Sequence, residues 1–354
     1  MIRTKALLKE LRNSKEFDEI VGLNLSSASE AYGGFSSIAK RVGQTARRIA
    51  PPMELAMQMV ADKTGMKKVG KWMHEARPDL IIAETIPVGY LCVKSKPKRS
   101  AVVVDVHGLT LEQRLRQSRN WSLSARYWKR VQSVALHDSD HVVVVSENMK
   151  SYLQEEFGLS NLTVVQNGGY LQSFRARYAQ PLRFLFSGIV EYWESPTTLV
   201  ELSRRLAPKA CTVFGTGSLL ESILISGSRL EYGGVLGHEE ALQVSTQYQV
   251  GLLPSSSDIT RVVASPIKLF DYWSVGLPVI AAQVGSWADP VARFDAGWLV
   301  PPEQFVDTVE AVSSVSEETW IRKAENGVRL IRERFNWPKI VRESLIPSLM
   351  SSAG

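Results

Sequence analysis

Ser265-Pro266-Ile267-Lys268-Leu269-Phe270-Asp271-Tyr272-Trp273-Ser274-Val275-Gly276-Leu277-Pro278-Val279-Ile280-Ala281 is the stretch whose reading decides the fold. It opens a helical pattern with a cation and a carboxylate three residues apart. Gly276 then ends the helix, and Pro278-Val279-Ile280-Ala281 reads as the next buried strand. Lys268 and Asp271 share one helix face. A helix N-terminus holds an anion, a lysine reaches a phosphate, and a carboxylate accepts two hydroxyl hydrogen bonds. That set suits a nucleotide diphosphate with its ribose. The same spacing serves an ordinary salt-bridged helix between two core strands, and spacing alone leaves both readings open.

Outward from this stretch, short β-branched runs alternate with helical patterns. Strands are predicted at Ile20–Leu25, Leu80–Ala83, Ala101–Val106, Val142–Val145, Thr163–Val165, Phe184–Ser187, Thr212–Phe214, Val250–Leu253 and Val279–Ala281. Continuous apolar runs of this length fit parallel strands buried on both faces. Helical patterns such as Ser124–His137 and Thr197–Leu206 lie between them, so the expected class is doubly wound α/β. The length of 354 residues predicts about two domains. A boundary is expected near Gly168–Arg183, where a Gly-Gly pair and a polar stretch precede a fresh strand. No run of 18 apolar residues exists, and the N-terminal ten residues form an amphipathic helical pattern too short in apolar content for a signal peptide. Cys92 and Cys211 sit far apart in apolar settings and read as buried free thiols, which favours a reducing cytoplasm.

The net charge of +6 is unevenly placed. Residues 1–180 carry 27 Lys and Arg against 17 Asp and Glu, whereas residues 181–354 carry 15 against 19. The basic excess thickens at Lys40-Arg41, Arg47-Arg48 and Lys63 to Lys71, interleaved with Ile49, Met53, Leu55, Met57, Met59 and Trp72. Such a segment suits an anionic membrane face; a plain solvated helix face has the same pattern. No nucleic-acid motif accompanies the charge.

Six pieces in order bring a resemblance. The Ser265–Ala281 stretch resembles the donor-binding signature of family 4 glycosyltransferases with the GT-B fold, in the variant with a Pro-x-Lys-x-x-acid core. Val142 to Glu147 resembles the strand and serine closing that family's first domain. Val164 to Gly168 resembles its Asn-Gly turn, Phe184 to Gly188 the first strand of its second domain, and Val213 to Gly217 its Gly-x-Gly turn. Phe335-Asn336-Trp337 resembles the aromatic motif opening its last helix. The resemblance spans about residues 75 to 345.

It implies two Rossmann-like domains facing a cleft: residues 1–172 on the acceptor side, 173–337 binding the nucleotide sugar, and 338–354 crossing back to the first domain. It implies a retaining sugar transfer from a nucleotide-diphosphate sugar to a glycan or lipid-linked acceptor, with no metal and no cofactor. A cytoplasmic place follows, peripheral on the membrane's inner face if the basic segment docks there. Asp271 is then expected on the ribose hydroxyls and Lys268 on the diphosphate, with Arg261 as a second cation. Ser265 or the backbone at Ile267 and Leu269 is expected near the sugar, and Gly188, Gly215 and Gly217 around the donor. His107, at the end of a strand and followed by Gly108, is expected to contact the donor sugar or phosphate; a satisfied structural histidine is the rival reading. Glu112 is the acceptor-side candidate.

The chain departs from the family pattern in three places. Val263 stands at the first acidic position. Ile189 stands where an arginine is usual, and no lysine follows in Gly188–Glu194; Glu191 and Glu194 are there instead. The chain also opens on a pattern resembling the helix after the family's Gly-rich loop, so the first domain is expected to lack its first strand, through a start placed too far downstream. The rival reading takes Ile20–Leu25 as the first strand and Gly33-Gly34 as the glycine loop. These departures keep two alternatives in view: a silent homologue that binds a sugar nucleotide or a partner, and a nucleotide-sugar epimerase. His137 and His141, four apart, show no third ligand, and no metal is expected there. No Ser-His-Asp set or Gly-x-x-x-x-Gly-Lys loop supports a hydrolase or an ATPase.

Overall fold

The computed structural model describes residues 2–23, 51–109, 112, 121–207, 210–226 and 229–353, with backbone only at 51–57 and 121–122. The chain divides into two compact units. The N-terminal unit holds residues 11–144, 150–164 and 344–354. The C-terminal unit holds residues 1–10, 145–149 and 165–343.

The N-terminal unit has a parallel sheet of β1 (Leu80–Glu84), β2 (Ala101–Val106), β3 (His141–Val144) and β4 (Leu162–Val164), in that order. Val102, Val103, Val104, Val142 and Val143 are buried, because helices cover both sheet faces and leave β-branched side chains no solvent side. The helix Ile346–Ala353 packs on β2. Two expectations change here. Residues 20–23 form no strand; the rest of the Ile20–Leu25 run, and Gly33-Gly34, lie outside the described residues. The opening helix runs Ile2–Ser14, and its residues 2–10 group with the C-terminal unit. Arg3 explains this, since its guanidinium donates to Asn167 Oδ1 at 3.0 Å.

The C-terminal unit contains six parallel strands: β5 (Phe184–Ile189), β6 (Cys211–Thr216), β7 (Glu231–Gly234), β8 (Val250–Leu253), β9 (Val279–Ala282) and β10 (Gly297–Val300). Their order is β10-β9-β8-β5-β6-β7. The chain runs outward from β5 in one direction and then returns to build from β8 in the other. The topological switch therefore lies between β5 and β8, where open α/β sheets bind ligands beyond the strands' carboxyl ends. The sequence pattern missed β7 and β10, the two edge strands. β7 is Glu-Tyr-Gly-Gly and shows no apolar run, whereas β10 is a short apolar run, Trp298-Leu299-Val300, that the reading passed over.

The helix Ile267–Ser274 lies where the pattern predicted it. It buries Leu269, Phe270, Tyr272 and Trp273. The Tyr272 hydroxyl accepts from Ser187 N–H at 2.8 Å, and Trp273 Nε1 donates to Ala296 O at 3.0 Å, which pins the helix to β5 and to the start of β10. Its end is a Schellman turn. Gly276 has φ 71°, its N–H bonds Trp273 O at 3.1 Å, and Leu277 N–H bonds Tyr272 O at 2.9 Å. This anchoring leaves only the face with Lys268 and Asp271 free to do chemistry.

Candidate functional site

The carboxyl ends of β5 and β6 come together through glycine. Gly188 and Gly215 pair in register, with φ 146° and 128°. A Cβ on Gly215 would fall 1.8 Å from Gly188 O, so no other residue allows this approach. A Cβ on Gly188 would lie 3.2 Å from Lys268 Nζ, which puts the lysine head over the end of β5.

Lys268 meets an unexpected partner. Beyond β5 the turn Tyr192–Glu194 carries Glu194, which is 3% exposed. Glu194 Oε2 lies 2.9 Å from Lys268 Nζ, and Oε1 lies 3.2 Å from the Arg261 guanidinium. Arg261 is itself buried; its Nε donates to Ser255 Oγ at 2.8 Å, and its head lies 5.3 Å from the Trp287 ring centroid. Lys268 Nζ lies 4.1 Å from the Phe186 ring centroid. Two buried cations thus share one carboxylate at the switch point. Burial pushes the Lys268 ammonium down to about 8; the Arg261 charge adds to this and Glu194 opposes it. Burial lowers Arg261 too, again against Glu194. A lysine has three donors, and among the described residues Lys268 has only this one short ion pair to occupy them. This leaves Lys268 with donors to offer a further acceptor.

Asp271 is on the same helix face and is also engaged. His238, at the start of the helix His238–Ser245, places Nε2 3.0 Å from Asp271 Oδ1. Burial raises the Asp271 carboxyl, partly countered by His238. The hydrogen bond to Asp271 raises the His238 imidazole. The second carboxylate oxygen is left to accept from a ligand.

Other expected residues take different places. Leu269 is fully buried among the core side chains, so only its backbone is left to face a ligand. Ser265 is buried and turned to the Asn-Gly turn. Its carbonyl accepts from Asn167 Nδ2 at 2.6 Å and its hydroxyl from Asn167 N–H at 3.4 Å. Ile267 is half-buried at the first turn of the helix. Gly217 lies just past β6, where a Cβ would fall 2.1 Å from Val190 O. Val263, at the first acidic position of the pattern, is 1% exposed, while Ile189 is 55% exposed. Sequence reasoning noted Glu194 only as a missing cation and did not see His238. The signal for Glu194 was the exchange itself: a carboxylate after β5 in a chain that brings its lysine from another helix.

In the N-terminal unit, His107 follows β2. Its Nδ1 lies 3.8 Å from Glu84 Oε2 and 3.9 Å from Asp105 Oδ2. Glu84 and Asp105 are paired in register at the ends of β1 and β2. One ligand atom from each of the three residues falls within 4.8 Å of the others. Glu112 accepts from the Tyr152 hydroxyl at 2.6 Å; burial and Glu112 raise that phenol. His137 and His141 do not converge. His137 bonds Ser133 O and Phe157 O, while His141 bonds Asn161 and Thr163. Both cysteines are buried, and burial pushes each thiol up to about 12.

Residues 31–169 match the model of Glycosyltransferase Family 4. No curated protein matches the chain. Among solved structures, sucrose-phosphate synthase from Thermosynechococcus elongatus is similar with TM-score 0.68 at 16% identity, covering 82% of this chain and 77% of that one. Anabaena Alr3699/HepE in complex with UDP-glucose is similar with TM-score 0.65 at 14% identity, covering 81% and 82%. The lipopolysaccharide outer core galactosyltransferase WaaB gives TM-score 0.55 at 15% identity, covering 83% and 82%. These structures show that the chain shares the GT-B fold. The family match covers residues 31–169, and the helix Ile267–Ser274 lies outside it.

Proposed function

We propose that the protein moves a sugar from a nucleotide-diphosphate sugar to a glycan or lipid-linked acceptor. The observation that carries this is the pair of buried cations, Lys268 and Arg261, sharing the single carboxylate of Glu194 at the switch point of the sheet. That surplus of positive charge suits a diphosphate. The nucleotide sugar binds the C-terminal unit, with Lys268 and the N-terminus of helix Ile267–Ser274 at the diphosphate. Asp271, held through one oxygen by His238, accepts ribose hydroxyls through the other. Gly188, Gly215 and Gly217 let the ligand approach the backbone. His107 contacts the donor sugar or phosphate, and Glu112 belongs to the acceptor side. UDP-glucose bound to HepE supports a nucleotide sugar as donor.

Transfer proceeds with retention at the anomeric carbon. The bond to the phosphate breaks first, and Lys268 stabilises the charge that grows on the departing diphosphate. The cations supply this stabilisation without a metal. The protein works in the cytoplasm, against an anionic membrane surface. Lys63, Lys67 and Lys71 recur every fourth residue and are exposed beside Met59 and Val60, which are 48% and 64% exposed; these residues support the docking. Lys40, Arg41, Arg47 and Arg48 lie outside the described residues.

The test is incubation with a panel of nucleotide sugars, with and without membrane glycolipid extract, read by mass spectrometry of both products. Acceptor-dependent transfer that is lost in Asp271→Ala is the expected result. A converted nucleotide sugar without acceptor would indicate an epimerase. Nucleotide binding without turnover would indicate a silent homologue, which Ile189 and Val263 favour.

A further inference from the structure

We propose that Glu194 is a positioning residue: a buried counter-ion that holds the Lys268 ammonium over the end of β5, in its cationic form, where a ligand diphosphate would lie. The proposal rests on the donor-site reading above. Four observations carry it. Glu194 is 3% exposed, so its charge is sustained by its partners and not by water. Its carboxylate is shared by two cations from different elements: Oε2 lies 2.9 Å from Lys268 Nζ of helix Ile267–Ser274 and accepts from the guanidinium of Arg261 of helix Ile259–Val262 at 3.4 Å, and Oε1 lies 3.2 Å from that guanidinium. Lys268 Nζ also lies over the Phe186 ring and beside Gly188, neither of which carries a charge. The loops after β5 and β8 are tied where this happens, since Ser256 N–H donates to Trp193 O at 3.0 Å.

The charged groups facing Lys268 are Glu194, from the turn after β5, and Arg261, from the helix after β8. Arg261 and burial both favour the neutral amine; Glu194 alone favours the ammonium. Removal of the Glu194 charge must therefore lower the pH at which Lys268 loses its proton. An anionic ligand requires the protonated form, so its affinity is full below that pH and falls above it. Arg261 stays charged throughout and gives a baseline. Glu194 also holds the ammonium at the end of β5 before a ligand binds. A carboxylate that merely filled space would leave this pH dependence untouched.

The experiment measures UDP affinity from pH 6 to 9.5 by calorimetry for the full chain and for Glu194→Gln. UDP is a probe of diphosphate binding here. Wild-type affinity is expected to fall above about pH 8. In Glu194→Gln the fall begins about one pH unit lower. Should two unpaired buried cations prevent folding of Glu194→Gln, the variant Glu194→Gln with Lys268→Met removes one of them and is expected to bind with no break in this range. Glu194→Asp, which draws the charge back by one methylene, moves the break by less in the same direction. A break unmoved in Glu194→Gln and Glu194→Asp overturns the proposal. Wild type that binds no nucleoside diphosphate at any pH defeats the donor-site reading instead. Titration of the Lys268 side chain by NMR of labelled lysine then still tests Glu194, since it needs no nucleotide.

Discussion

Lys268→Met isolates what one ammonium contributes to diphosphate binding. Methionine keeps an unbranched stem of similar length against Phe186 and removes the charge. Glu194 retains Arg261 at 3.2 Å, so the variant leaves no orphaned carboxylate and the fold is expected to persist. The magnitude follows from the site. At an effective dielectric of about 20, an ammonium and a phosphate oxygen about 4 Å apart attract by about 4 kcal/mol. Part of that is offset because Lys268 already holds Glu194 at 2.9 Å and must share its donors. A net of about 2 kcal/mol remains, within the range of charge-assisted hydrogen bonds. That corresponds to about 30-fold in affinity. Calorimetry at pH 7 with UDP, UMP and uridine reads the effect. UDP should weaken about 30-fold, UMP less, and uridine not at all. Equal weakening of uridine and UDP would show a general distortion of the pocket. An unchanged UDP affinity would show that the cation faces away from the ligand, and either result refutes the reasoning.

Four further predictions concern other parts of the molecule. Asp271→Asn should cost about tenfold in affinity for UDP but much less for the 2′,3′-dideoxy nucleotide, because only the former offers hydroxyls to the carboxylate; equal losses for the two ligands would remove Asp271 from the ribose. The raised His238 imidazole stabilises the fold fully below its unfolded value of about 6.5, and this is lost as pH rises through the folded value. Thermal midpoints should therefore drop more across that window in wild type than in His238→Gln, and parallel curves would contradict the pairing. Gly215→Ala should destabilise the C-terminal unit by about 3 kcal/mol, since it combines a positive-φ strain with a backbone clash; a denaturation midpoint like wild type's would show that β5 and β6 can separate. Chelation should leave the transfer rate within about twofold; a large loss restored by a divalent cation would instead place an ion on Glu84, Asp105 and His107.

Membrane docking is checked by vesicle sedimentation. Binding to vesicles with anionic lipid, weakened when Lys63, Lys67 and Lys71 become glutamine together, is the expected result. Retention on neutral vesicles would point to apolar insertion alone.

Much of this molecule is written in local chemistry. Val102-Val103-Val104 and Val142-Val143-Val144-Val145 specify buried parallel strands because no other arrangement hides β-branched side chains on both faces. The Lys268–Asp271 helix and its stop at Gly276 are local too, set by side-chain period and by a left-handed turn that glycine adopts without strain. Edge strands β7 and β10 were not read from the sequence: β7 is Glu-Tyr-Gly-Gly with no apolar run, and β10 is only four residues long, its place in the sheet set by pairing with β9. The same division holds at the site. Lys268, Asp271 and Arg261 could be chosen from residue type and spacing, but their partners could not: Glu194 lies 74 positions from Lys268 and His238 lies 33 from Asp271. Only the crossover of β5, β6, β7 and β8 brings those pairs within 3 Å or so, and burial, which gives each pair its strength, exists only once the sheet has closed around them.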